Sequence, residues 1–147
     1  VMKYFRTFRP LKLWLSTSVI ALACVAYPAL ADNREVFALK ADEQQWVREY
    51  MRQMLETVTL IQGDLAAEKP GAIAARVSAL NAFQAETKPK GIGRSFPQGF
   101  RTMAQSMDQQ WQTLAASDSS AEALKNSHML LNYCNACHRS YRLTVRE

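Results

Sequence analysis

Beyond residue 40, apolar residues spaced three and four apart leave this chain little choice of fold. Val47, Met51, Met54, Val58, Ile61 and Leu65 recur at that spacing, which puts them on one buried stripe of an amphipathic helix. The pattern predicts a first helix from Ala41 to Leu65. Lys69-Pro70-Gly71 interrupts it. Proline suits the first turn of a helix, where its missing N–H is not needed. A short, alanine-rich second helix is therefore expected from Pro70, with Ile73, Val77, Leu80 and Phe83 or Gln84 facing inward. Between Thr87 and Pro97 stand Pro89, Gly91, Gly93 and Pro97 itself, a density of breakers that no helix or strand interior tolerates. That stretch reads as the longest loop.

A third stripe runs through Phe96, Phe100, Met103, Met107, Trp111 and Leu114 and ends near Ala116, where Ser117-Asp118-Ser119 supplies turn residues. Ser119 and Glu122 have capping-box spacing, so a fourth helix starts there. Along it Leu124, Leu131 and His138 stand seven apart, with Cys134 and Tyr141 at intermediate steps, which aims the histidine at the core. Four amphipathic segments with mostly short connections and no alternating strand pattern predict an all-α, antiparallel four-helix bundle. One domain is expected from 147 residues that are 48% hydrophobic.

The first 31 residues differ in kind. Lys3, Arg6, Arg9 and Lys12 precede the mostly apolar run from Leu13 to Ala26, and Tyr27-Pro28-Ala29-Leu30-Ala31 ends in a small-x-small pattern. That is the layout of a cleavable signal peptide over 1–31, which leaves a mature domain of 32–147. The apolar run is shorter than the ~20 residues of a comfortable membrane span, so no stable membrane insertion is expected after cleavage. Lipidation of Cys24 would need a better approach than Ala21-Leu22-Ala23. The segment holds four of the 18 basic residues and none of the 13 acidic ones, so the net charge of +5 falls to +1 beyond it, 14 against 13. The remaining basic residues read as scattered along the sequence, and a nearly neutral domain gives no electrostatic case for nucleic acid.

Removing Cys24 leaves two cysteines three residues apart, in Cys134-Asn135-Ala136-Cys137-His138. This is the attachment motif for haem c, one per chain, in which both thiols bond the haem vinyl groups and the adjacent imidazole ligates iron. Residues three apart share one side of a helix, so both sulfurs reach neighbouring edges of the macrocycle while the next ring turns beneath the metal. A thiol redox pair or half of a zinc site has the same Cys spacing. Zinc would want a second ligand cluster, and the other histidine, His128, lies ten residues up the same helix, about 15 Å away. A redox pair normally sits at a helix start, whereas these cysteines fall well inside the last helix. The export signal and the immediate histidine favour haem.

Cys134-x-x-Cys137-His138-x-x-Tyr141-Arg142, at the end of the last of four helices, resembles the cytochrome c′ family of class II c-type cytochromes, six-coordinate low-spin members included. The resemblance covers about 41–142. It implies a left-handed bundle, a periplasmic location, His138 as the proximal iron ligand, and a distal position on the first helix. Met51-Arg52-Gln53-Met54 looks like the methionine-bearing version, with Met51 the candidate distal ligand and Met54 the runner-up; both also suit core packing. Many relatives carry an arginine four positions before the distal residue, but Val47 stands there and Arg48 is displaced by one. Arg48, Arg52 and Arg142 are the candidate propionate partners. His128 reads as a surface residue, Tyr141 as packing on the haem edge or the first helix, and Trp46, Tyr50 and Trp111 as core or subunit-contact residues. The family's habit of pairing through its first two helices makes a homodimer a further expectation.

These features imply a periplasmic electron carrier that cycles between Fe(II) and Fe(III) with redox partner proteins. The alternative is a five-coordinate protein in which Met51 only packs, leaving the iron open to nitric oxide or carbon monoxide. Enzymatic chemistry would want polar distal groups, and the first-helix stripe offers only Val47, Met51, Met54 and Val58.

Overall fold

A computed structural model describes residues 32–146. Every element below belongs to one compact unit, Asn33–Glu147. The signal segment 1–31 and Cys24 lie outside the described residues.

Four helices account for most of the described chain: α1 (Ala41–Ala66), α2 (Ile73–Thr87), α3 (Gln98–Ala115) and α4 (Ser120–Ser140). Each packs on the next, and α4 returns to α1. Helix α1 opens with Asp42 and Glu43 in its first turn, where carboxylates favour the exposed backbone N–H groups, and the Lys40 N–H donates to Glu43 Oε2 at 3.1 Å. At its far end the Asp64 carboxylate accepts from Arg76 Nε at 2.9 Å, tying the α1–α2 connection together. Pro70–Ala72 forms a short 3-10 turn, so α2 proper begins at Ile73. Helix α4 starts as expected, with the Glu122 N–H donating to Ser119 Oγ at 3.2 Å. The Glu122 side chain accepts from the Asp118 N–H rather than that of Ser119, a box shifted by one residue.

The main core joins Tyr50, Val58 and Ile61 of α1 to Ile73, Val77 and Leu80 of α2, Met107, Trp111 and Leu114 of α3, and Ala123 and Leu130 of α4. The stripes of the first three helices therefore pack as their spacing dictates. The inward face of α4 differs. It is built from Ala123, Asn126, Ser127 and Leu130, whereas Leu124 is 61% exposed and His138 is exposed. An α-helix drifts about 20° per seven residues, so Leu124, Leu131 and His138 do not hold one buried line, and His138 does not point into the packed core.

Two strands were not expected. β1 (Glu35–Leu39) and β2 (Tyr141–Val145) pair in parallel, from Glu35 opposite Tyr141 to Leu39 opposite Val145. All four helices form the crossover between them. A two-stranded sheet is marginal by itself; this one is held by a second core of Phe37, Leu39, Val47 and Ile92, with Phe96, Phe100, Tyr141 and Leu143 packed around it. Phe37 meets Phe96, Phe100 and Tyr141 edge-on at centroid distances of 5.9, 5.2 and 6.1 Å. Tyr141 thus opens a strand instead of continuing the face of α4. Its hydroxyl fills the space that a Cβ on Gly99 would occupy, which fixes glycine in the first turn of α3. The presumed loop is also partly ordered: Gly91 takes φ +80°, a 3-10 turn follows at Ile92–Ser95, and Ile92 is fully buried.

Leu39 has no exposed surface whereas Val36, on the same strand, is 47% exposed. Leu39→Ala is expected to cost about 3 kcal/mol of stability and Val36→Ala less than about 1 kcal/mol, as read from urea unfolding midpoints.

Candidate functional site

A cavity of about 560 Å³ opens between α1, α3 and α4. Helix α1 contributes two adjacent rows to its wall, Trp46, Tyr50, Met54 and Val58 in one and Val47, Met51 and Leu55 in the other, as i, i+4 spacing allows. Helix α4 contributes Leu131, Cys134, Cys137 and His138. From α3 come Phe100, Arg101, Ala104, Gln105, Met107, Asp108 and Trp111. The small side chain of Ala104 and the adjacent Gly93 help leave this space unfilled.

Cys134, Cys137, His138, Met51 and Met54 therefore line one cavity. Both cysteines are half-buried and unpaired. Cys137 Sγ lies 2.8 Å from Met103 Sδ of α3. Burial pushes both thiols above the ordinary cysteine range, and the neighbouring Cys134 pushes Cys137 further. Such thiols are protonated at neutral pH, the opposite of the depressed pKa that makes a cysteine pair reactive in disulfide exchange. His138 sits in the last turn of α4, and its carbonyl accepts from Arg34 at 3.4 Å. Met51 and Met54 are half-buried; Met51 packs on the second core and Met54 on the main one. Among the described residues no three His, Cys, Asp or Glu side chains gather as a metal-ion site, so Cys134 and Cys137 are not completed to the ligand set that zinc requires.

The arginines fall differently. Neither Arg48 nor Arg142 lines the cavity; Arg52 does, and it pairs with Glu49 at 2.7 Å. The other cations in the wall are Lys88 and Arg101, which the sequence pattern had not singled out. Arg101 donates to the Phe96 carbonyl at 2.7 Å and to Gln98 Oε1, which holds its guanidinium in place. His128 is exposed on α4.

The wall also carries polar groups that the α1 stripe did not reveal. Asp108 and Gln105 project from α3, one and two positions from Met107. Their signal was a row beside the apolar stripe, Arg101, Ala104, Gln105, Asp108 and Trp111, at helical steps of three, one, three and three. Burial pushes the Asp108 carboxyl above its usual range, and Lys88 partly opposes that. Tyr50, 8% exposed, stacks on Trp46 at 5.3 Å, and Trp46 Nε1 donates to Thr87 Oγ1 at 3.0 Å. Burial raises the Tyr50 hydroxyl well above its usual value, and Asp108 adds to the effect.

Comparison with known proteins returned no match to a family model, a curated protein or a solved structure.

Because the folded-state value of Tyr50 lies above the unfolded one, its contribution to stability is complete below about pH 10 and is lost as pH rises beyond that. Ultraviolet difference titration is expected to show one tyrosine that stays un-ionised past the ordinary tyrosine range. Tyr50→Phe should remove that late step, and Asp108→Asn should move it part of the way down.

Proposed function

We propose that this chain is an exported, periplasmic monohaem c-type cytochrome that transfers electrons, its four helices forming an antiparallel, left-handed bundle around one covalently held haem c. The observation that carries the reading is the cavity. Its wall brings both thiols, the adjacent imidazole and two methionines of a facing helix to one mainly apolar space of about 560 Å³, within the roughly 300–1,000 Å³ typical of cofactor sites. The space opens to solvent, and a large apolar group seated in it would remove that mainly apolar wall from water.

The residues present fit that group. Cys134 and Cys137 would hold it through thioether bonds, each formed by net addition of S–H across a haem vinyl group. His138 would ligate the iron from α4. When bound, haem c supplies one-electron cycling between Fe(III) and Fe(II). The chain's own part is to fix the ligands and exclude water. Helix α4 holds His138 in its last turn, β2 anchors the chain directly after it, and the apolar face of α1 covers the opposite wall. Met51 is the candidate sixth ligand, since a thioether suits haem iron. Arg52 and Arg101 are better placed than Arg48 or Arg142 to meet propionates, because they line the cavity. The reading is of a carrier, not an enzyme.

The test is the optical spectrum of the haem-loaded protein in both oxidation states, before and after carbon monoxide. Sharp low-spin bands that ignore the gas are expected, and Met51→Ala should convert them to a high-spin, gas-binding spectrum while Met54→Ala leaves them unchanged. A wild-type spectrum that is high-spin and shifts with the gas would transfer the reading to a binder of nitric oxide or carbon monoxide. Absence of covalent haem would overturn both.

A further inference from the structure

Four cations, Lys88, Lys90, Arg94 and Arg101, stand between Glu86 and Asp108, and no acidic residue interrupts them. A second acid-free run of four cations, Lys125, Arg139, Arg142 and Arg146, lies between Glu122 and Glu147, but none of these lines the cavity, whereas the first stretch walls it through Lys88, Gly93, Phe96 and Arg101. We propose that this basic rim is the docking surface for an acidic redox protein, and that electrons enter or leave the cavity through it. The proposal rests on the reading of the chain as a c-type cytochrome.

Three observations support it. The cations are displayed: Lys88, Lys90 and Arg94 are exposed and Arg101 is half-buried. Among the described residues, Lys90, Arg94 and Arg101 join no ion pair within the chain. Their segment is also anchored, with Ile92 fully buried at the start of the 3-10 turn, so a partner meets a preformed surface and not a tail that must first be ordered. Of the nearby carboxylates, Glu43 is buried and held by the Lys40 N–H at 3.1 Å and Ser95 Oγ at 3.4 Å, whereas Glu86 and Asp108 are exposed near Lys88, so the positive charge of the rim rests on Lys90, Arg94 and Arg101. An anionic membrane is the weaker match, because surface-binding segments insert apolar side chains and the central one here, Ile92, is turned inward.

The charge field of such a rim speeds encounter with an oppositely charged protein, and salt screens it. The test uses the haem-loaded protein, with reduced flavodoxin as an acidic protein donor and hexaammineruthenium(II) as a small cationic one. Stopped-flow reduction by flavodoxin is expected to slow about tenfold between about 10 and 300 mM salt. The double variant Lys90→Gln/Arg94→Gln, which alters no residue lining the cavity, should lose severalfold of the low-salt rate and most of the salt dependence. Lys90→Glu/Arg94→Glu should lose more. Reduction by hexaammineruthenium(II) should not fall in either variant. Equal flavodoxin rates in all three proteins at low salt would overturn the proposal. So would wild-type protein that sediments with phosphatidylglycerol vesicles at physiological salt while the variants keep the full flavodoxin rate, since the rim would then serve lipid. Wild-type protein without covalent haem, or not reduced even by hexaammineruthenium(II), would instead sink the cytochrome reading itself.

Discussion

The space that the side chains of α1, α3 and α4 leave unfilled governs the rest of this structure. Protein interiors pack like organic crystals, with few voids larger than a water molecule, yet here an opening of about 560 Å³ sits beside a core whose other residues pack tightly. Apolar burial therefore has to be achieved around the opening. The fold does this with two separate clusters: one formed by all four helices, the other formed by β1, the start of α1 and the segment around Ile92, with β2 packed against it. Met51 and Met54, neighbours on one stripe, answer to different clusters, so the wall of the cavity that faces α4 is supported from both sides.

The parallel sheet acquires its purpose from this arrangement. A helix end frays unless something holds it, and local opening concentrates where buried contacts are few. His138 stands three residues from the start of β2. Pairing of Tyr141–Val145 with Glu35–Leu39, the wedge of Tyr141 between Phe37 and Phe100 and the Arg34 bond to the His138 carbonyl together fix the last turn of α4. The backbone that carries His138 is thereby tied to both ends of the chain fold, through β1 and through the aromatic cluster.

Much of this was legible in the sequence because it rests on periodicity. The inward residues of α1, α2 and α3, the break at Pro70 and the cap at Ser119 follow from spacing and local backbone chemistry, and Cys134, Cys137, His138 and Met51 do come to one cavity. What stayed hidden depends on contacts distant in sequence. Glu35–Leu39 and Tyr141–Val145 are five residues each and about a hundred apart; Tyr141–Val145 does alternate apolar with polar residues, but Glu35–Leu39 does not, and five residues without a visible partner are too few to mark a strand. Ile92 looked like loop because breakers surround it, but a left-handed glycine turns it inward. The heptad on α4 misled because seven residues fall about 20° short of two turns, and His138 is exposed at the cavity edge. Of the arginines singled out beside Met51 and after His138, Arg52 lines the cavity and Arg48 and Arg142 do not, while α3 and the segment before it add Arg101 and Lys88.

The same oversight bears on the chemistry of the cavity. Judged from α1 alone, its distal wall is Val47, Met51, Met54 and Val58, without a proton donor. Helix α3 changes that by adding Asp108 and Gln105, and α1 itself adds the buried Tyr50 hydroxyl. Desolvation raises both Asp108 and Tyr50, so each favours its neutral, proton-bearing form. Positive charge gained in the cavity on oxidation would favour ionisation of such groups, and negative charge would oppose it. The buried Tyr50 hydroxyl would feel such a charge with little screening, whereas Asp108 is exposed, so water screens its share. The cavity is therefore apolar along its α1 wall and polar on its α3 side, where Asp108 and Gln105 also reach solvent.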